Sequence, residues 1–458
     1  MKVIVCGAGR VGMMIARQLA SENNSVTVID QSAELIRRIS ETQDVRAIHG
    51  FASHPEILEQ AGAADADMLI AVTQIDEINM VACEVAGALF DVPTKIARVR
   101  SQAYLDPVWG TLFSRDNLAI DVAISPEKEV AEAIRHQIEA PGAADVIPLA
   151  DGKVQAVAVR CQEDCPLLDT PLRQLTEIFP QLDIIIVGII RDEKMIVPDD
   201  NEMLKVGDEV YFVVESGKVR RAMAAFGHEE NPASRTIIVG GGNVGQFLAK
   251  SLQERHPDMS LKFIEQNFDT AQMVKESLSQ ATVIHGDALD PEILEEANVA
   301  TCDMLVAVTN EDEVNILATL LAKRHGAREA LALVNTPTYN SLVSNLGVDA
   351  VVDPNAITVS TILRHVRQGR IKAVHSLREG FGEIIEAEAL ETSGLVGPPL
   401  REVKLPKGVI VGAIVRGEEV IMPRGGTVIH SKDLVILYAA SNAVKKVEKM
   451  FAVRLEYF

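Results

Sequence analysis

The chain has 458 residues, which suggests about three domains and exceeds what a single hydrophobic core organises. Its 47% hydrophobic, 24% charged and 4% aromatic composition fits a soluble globular protein and excludes disordered or fibrous classes. With 44 Lys+Arg against 65 Asp+Glu, the net charge of −21 repels a phosphate backbone, and no basic run offsets it, so nucleic acid is excluded as a partner.

Apolar stretches such as residues 184–190, bounded by Asp183 and Arg191, fall far short of the ~20 residues that cross a bilayer. Met1 and Lys2 lead directly into Val3-Ile4-Val5-Cys6-Gly7, without the regions of a signal peptide. Five scattered cysteines, Cys6, Cys83, Cys161, Cys165 and Cys302, are expected to be free thiols in a reducing cytoplasm.

In chain order, β-branched runs at residues 2–7, 25–30, 46–50, 68–73, 95–100 and 119–124 alternate with helical-period segments. Apolar strands separated by helices predict a parallel sheet covered on both faces, and six strands match a doubly wound nucleotide-binding fold. After Glu139-Ala140-Pro141-Gly142-Ala143 the pattern changes. Runs 184–190 and 195–198 flank Arg191-Asp192-Glu193-Lys194 as a hairpin, and 204–209 lead into Val210-Tyr211-Phe212-Val213-Val214, the pattern of a small β-rich α+β domain.

The chain then begins again. Gly7 and Gly12 return as Gly240 and Gly245, offset by 233, and Met68-Leu69-Ile70-Ala71-Val72-Thr73 returns as Met304-Leu305-Val306-Ala307-Val308-Thr309, offset by 236. His49-Gly50, Pro55, Asp76-Glu77 and Asn79 recur at that second offset, whereas Arg191, Pro198 and Asp208 recur as Arg416, Pro423 and Asp433 at 225. The order is therefore A-B-A′-B′, with breaks expected at residues 139–143, 227–232 and 367–370. The expected fold class is α/β: two doubly wound Rossmann-like domains, 1–125 and 232–354, each followed by a small α+β domain, 142–227 and 370–455.

Gly7-Ala8-Gly9-Arg10-Val11-Gly12 follows a strand and opens a helix. The first glycine permits a tight turn, the second close approach of a pyrophosphate, and the third helix–strand packing. The helix N-terminus attracts the phosphates, and Asp30, 18 residues beyond Gly12, is placed to accept hydrogen bonds from a ribose and to repel a 2′-phosphate. Gly240-Gly241-Gly242-Asn243-Val244-Gly245 and Glu265 repeat the arrangement at 20 residues. Arg10, Arg98 and Arg100 are expected to give the first site the more anionic ligand, since the second has Asn243 and, near the matching places, Val334 and Thr336. Asp287 stands where the first half has Phe51 and is placed to reach an adenine amine or a ribose hydroxyl. Thr73 and Thr309, followed by Gln74 and Asn310, are expected above the ligand crevice, with Asp76 and Asp312 capping the next helices. The apolar segment 314–321 is expected to pack one helical face in the core.

Catalytic apparatus is not evident. The histidines share no catalytic setting, Cys161-x-x-x-Cys165 lacks zinc-ligand spacing, and no P-loop is present. The chain reads as a ligand-binding protein and not an enzyme. An NAD-dependent oxidoreductase, or a sensor whose B modules bind another small molecule while the A modules serve as scaffold, are the alternatives.

The A-B-A′-B′ order, the loop at residues 3–12, His49-Gly50-Phe51-Ala52-Ser53-His54-Pro55 and Asp67-Met68-Leu69-Ile70-Ala71-Val72-Thr73 together resemble the TrkA family, the cytosolic regulatory subunits of bacterial Trk potassium uptake systems. The A and B modules are similar to N- and C-terminal RCK (KTN) domains. The resemblance implies a peripheral cytoplasmic protein at the inner membrane face that binds NAD(H), and often ATP or ADP, and gates a TrkH- or TrkG-like potassium-translocating subunit. It also implies a homotetramer forming an RCK ring. Carried over by motif, the first site uses Gly7, Ala8, Gly9, Arg10, Val11, Asp30, Thr73, Gln74 and Arg98, with Phe51 contributing backbone. The second uses Gly240, Gly241, Gly242, Asn243, Val244, Glu265, Asp287, Thr309 and Asn310. No metal is implied.

Overall fold

The computed structural model describes residues 1–21, 24–109, 111–113, 117–179, 182–192, 194–229, 233–336, 338–339, 342–343, 346–366, 371–377 and 381–451. Glu193 of the expected hairpin turn, the breaks at 230–232 and 367–370, and the expected end at 455 lie outside these residues. The chain divides into two compact units, Met1–Val130 with Pro354–Val366, and Ala131–Asp353 with Arg367–Phe458.

In the first unit, β1 (Lys2–Cys6), β2 (Ser25–Asp30), β3 (Arg46–His49), β4 (Met68–Ala71), β5 (Thr94–Arg98) and β6 (Val122–Ile124) form one sheet of order β3-β2-β1-β4-β5-β6, and every adjacent pair is parallel. Val3, Ile4, Val5 and Cys6 are all buried, because helices cover both faces and both side-chain directions of β1 need apolar residues. The expected fifth run, 95–100, ends as a strand at Arg98: Val99 N still bonds Ile124 O, but from Arg100 on the backbone N–H groups turn to the Asp76 carboxylate. Helix Pro354–Val366 completes this unit: Val359, Ile362, Leu363 and Val366 share a core with Val11, Ile15 and Leu19 of helix Arg10–Ser21.

The second unit holds three sheets. Strands β7 (Ala143–Leu149), β8 (Val154–Arg160), β9 (Ile184–Arg191), β10 (Lys194–Ile196) and β11 (Glu209–Glu215) form an antiparallel sheet of order β10-β9-β11-β8-β7. The strands β12 (Arg235–Val239), β13 (Ser260–Glu265), β14 (Thr282–His285), β15 (Met304–Ala307), β16 (Glu329–Leu333) and β17 (Ala350–Val352) repeat the parallel order of the first unit, as β14-β13-β12-β15-β16-β17. A second antiparallel sheet contains β18 (Ile371–Ser376), β19 (Glu383–Glu388), β20 (Val409–Arg416), β21 (Glu419–Ile421) and β22 (Leu434–Ala439), in the order β18-β19-β22-β20-β21. The two antiparallel sheets share a core in which Ala156, Ala158, Tyr211 and Val213 meet Ile384, Ala413, Ile436 and Tyr438. In this unit the part of helix Pro126–Glu139 from Ala131 onward docks by polar contacts, with Glu132 accepting from Ser251 Oγ at 2.6 Å and Glu139 bonded to His256 Nε2 at 2.9 Å.

The recurring Arg and Asp of the B modules acquire a reason. Arg191 donates from Nε and Nη2 to the two carboxylate oxygens of Asp208, each at 2.8 Å, and Asp208 also accepts from Lys205 N at 2.8 Å. Arg416, Asp433 and His430 N repeat the same contacts at 2.9, 2.8 and 2.8 Å. A bidentate pair of this kind locks a strand end to the turn before the next strand.

Burial pushes the Asp433 carboxyl up, but the Arg416 hydrogen bond and the His430 N–H outweigh it and leave its pKa below the usual carboxylate value. The folded pKa is depressed, so the stabilisation is complete above the ordinary carboxyl range and is lost as pH falls through the folded value. Arg416→Met leaves a nearly fully buried carboxylate unpaired and is expected to cost about 3 kcal/mol at neutral pH. In chemical denaturation at a series of pH values, the gap between variant and parent should shrink in acid.

Candidate nucleotide-binding sites

Both glycine loops leave the carboxyl edge of a parallel sheet at its central strand, where an open α/β sheet forms its ligand crevice. Gly7 and Gly240 have φ of +110° and +104°, and a Cβ at either would meet Thr73 N or Thr309 N at 3.1 Å. A Cβ on Gly12 would stand 1.8 Å from Gly7 O, so the helix can start this close to the strand only with glycine there. Gly9 and Gly242 have nothing within 4 Å of an added Cβ, and this is the part of each loop that lies open.

The acids at the ends of β2 and β13 hold these loops in place. Asp30 accepts from Ala8 N at 2.6 Å and from Ser32 N at 2.7 Å, and Glu265 accepts from Gly241 N at 2.6 Å and Asn267 N at 2.7 Å. Asp30 and Glu265 thus shape the loop, while a carboxylate's remaining lone pairs stay available to ribose hydroxyls. The buried Ala8 and Val11 side chains face the core, so these residues can offer a ligand only backbone. Arg10, Gln74, Gly242, Asn243, Asp287 and Asn310 are exposed at the two sheet edges.

Thr73 and Thr309 are committed to the scaffold. The fully buried Asn79 accepts from Thr73 N and Oγ1 at 2.9 and 2.7 Å and donates to Thr73 O and Arg98 O at 3.2 and 2.9 Å. Asn315 does the same with Thr309 and Leu333 O. One amide therefore uses its full hydrogen-bonding capacity to clamp the ends of two neighbouring strands. Its recurrence is visible in the sequence, but its role is not.

Asp76 and Asp312 differ from expectation. Each is the first residue of its helix, behind Ile75 or Glu311, and neither preceding residue makes a side-chain cap. Asp76 accepts from Arg100 N and Ser101 N at 2.9 and 2.8 Å, and Asp312 accepts from Asn335 N at 2.8 Å, so both acids hold the segment leaving the fifth strand. These bonds also correct the comparison of the halves. Asn79 and Asn315 pair Arg98 with Leu333, and Asp76 and Asp312 pair Arg100 with Asn335, one residue before the expected Val334 and Thr336. Both arginines still meet uncharged partners.

Around Arg98 the first site is strongly polarised. Burial, and then the like charge of Arg100, pull Arg98 below the usual guanidinium value. Its Nε is buried without a hydrogen-bond partner, as are Asp76 Oδ1 and Glu127 Oε2, while Arg100 is bound to Glu127 at 2.8 Å. A cation in this setting gains more from an added anion than a solvated one does. Phe51 is 48% exposed just beyond β3, and Asp287, the matching residue, accepts from Leu289 N at 2.9 Å.

Asn315→Ala strands buried strand-end groups and is expected to lower stability by about 3 kcal/mol, read as a shifted denaturation midpoint. Gly241→Ala should also destabilise, by roughly 1–3 kcal/mol, because its Cβ would meet Val274 Cγ2 at 2.8 Å and Glu265 Oε2 at 3.2 Å.

The models of the TrkA-N domain match residues 3–126 and 236–354, and those of the TrkA-C domain match 156–227 and 384–452. The chain is 50% identical over 458 residues to the Trk system potassium uptake protein TrkA of Azorhizobium caulinodans, covering 100% of both chains. It is 41% identical over 462 residues to that of Halomonas elongata, again covering 100% of both, and 33% identical over 459 residues to TrkA homolog 1 of Methanosarcina mazei, covering 98% of this chain and all of the other. Among solved structures, the GsuK channel bound to NAD superimposes with a TM-score of 0.60 at 18% identity, covering 99% of this chain and 79% of that one. The GsuK RCK domain superimposes at 0.59 and 17%, covering 99% and 95%, and at such identity these two matches support the tandem RCK fold alone. The curated relatives are potassium uptake proteins and not enzymes. On its matched domains and full-length relatives, the chain belongs to the TrkA family of Trk system potassium uptake proteins.

Proposed function

We propose that the chain is the regulatory subunit that gates a membrane potassium-translocating partner in response to NAD(H), ATP or ADP bound at the carboxyl edges of its two parallel sheets. The observation that carries this reading is the pair of acid-held glycine loops, each with its second glycine of the motif facing open space. The backbone N–H groups and the helix N-terminus would take the phosphates, and Asp30 or Glu265 the ribose. In the first site Arg10 and Arg98 would add charge for the more anionic ligand, and Gln74 and the Phe51 backbone would line it. In the second, Asn243, Asp287 and Asn310 would surround a less anionic one. Thr73 and Thr309 would contribute by keeping the crevice open.

The proposed modules are 1–125, 142–227, 232–354 and 370–455, acting as a homotetrameric RCK ring on the cytoplasmic face of the membrane against a TrkH- or TrkG-like subunit. Among the described residues no helix is long and apolar enough to cross a membrane. Gating needs a ligand that prefers one arrangement of the modules, since equal affinity for both shifts nothing.

Calorimetric titration of NADH, NAD, ATP and ADP into the full chain tests this. Saturable binding without turnover is expected, Asp30→Ala removing one class of site and Glu265→Ala the other. Arg98→Gln should weaken ATP more than NADH at the first site. Absence of binding, or consumption of NADH, would refute the regulatory reading.

A further inference from the structure

Each site displays one exposed phenylalanine braced by a histidine, but from different elements. In the first, Phe51 lies 5.2 Å from His54 between ring centroids, and the matching residues of the second are Asp287 and Asp290. There the aromatic is Phe268, the first residue of helix Phe268–Ser277, and its counterpart in the first half is the small Ala33. Phe268 is 63% exposed, and its ring meets His285 edge to face at 5.5 Å and 82°. His285 Nε2 donates to Gln266 O at 3.1 Å, so the brace is itself fixed.

The location is specific. Phe268 comes three residues after Glu265, which holds both Gly241 and Asn267 N–H, and His285 ends the neighbouring strand two residues before Asp287. A flat apolar ring therefore stands at the carboxyl edge, three residues beyond an acid suited to a ribose and against the histidine two residues before another acid suited to an exocyclic amine. A phenyl ring this exposed buries little apolar surface by itself, whereas a planar base laid on it covers what is left open.

We propose that Phe268, buttressed by His285, is the stacking platform for the adenine ring at the second site. This rests on the reading that the second site takes an adenine nucleotide. The first site offers its phenylalanine from the next loop, so the two sites hold the base against different walls.

The test is calorimetric titration of ADP and of NADH, which both carry the adenine ring, into the full chain carrying Asp30→Ala, which leaves the second site as reporter. Adding Phe268→Leu, which keeps apolar bulk but removes the aromatic face, is expected to weaken their binding about tenfold, while Phe268→Tyr stays near the parent. Tm should be unchanged in both, since the ring is largely outside the core. Parental affinity in Phe268→Leu, or equal losses in the Leu and Tyr variants, overturns the platform while leaving nucleotide binding in place. If the Asp30→Ala chain binds neither ADP nor NADH, the second-site reading falls and this inference falls with it.

Discussion

A carboxylate accepting a hydrogen bond from the glycine loop is the contact on which both candidate sites depend. A loop chosen for glycine has few intrinsic restraints, and ordering it costs conformational entropy. Asp30 and Glu265 each tie the loop at one oxygen and the start of the following segment at the other. They thereby fix the distance between the central strand and its neighbour before any ligand arrives. The two versions are mutually adjusted: the shorter aspartate goes with Ala8, and the longer glutamate with Gly241, where a Cβ would crowd Glu265 and Val274.

Around these contacts the duplicated scaffold is conservative and its surface is not. The Asn79 and Asn315 clamps recur bond for bond, and the Asp76 and Asp312 ties and the two Arg–Asp locks recur in their central contacts. Differences gather at the ends of the strands and just beyond them: Arg98 against the buried Leu333, Arg100 against Asn335, Phe51 against Asp287 and Ala33 against Phe268. Packing and buried polar satisfaction restrain the first group, whereas exposed members of the second, such as Phe51 and Phe268, carry little of that restraint. A duplicated frame can in this way hold two unlike ligands.

Much of this was legible in the sequence because the informative features are local or repeated. The glycine loops, the acids behind them and the apolar strand runs give the parallel sheets and the carboxyl edge directly. Features that need a third dimension were not legible. Asp76 has the composition of a helix cap, yet its carboxylate turns across to a backbone 24 residues away. The match of Arg98 to Leu333 cannot be read from strands that share no residue pattern at that point; the strand ladders and the asparagine clamp fix the register. Helix Pro354–Val366 shows a plausible apolar face but no sign of which core it joins.

That helix also constrains synthesis. The first unit begins at Met1 yet is completed by Pro354–Val366, so residues 131–353 must leave the ribosome before Ile15 and Leu19 receive their partners Ile362 and Leu363. At roughly 5–20 residues per second this wait lasts on the order of ten to forty-five seconds. Meanwhile Ile15 and Leu19 of the nascent first unit lack the apolar partners that complete their core, although the sheet they cover has already emerged.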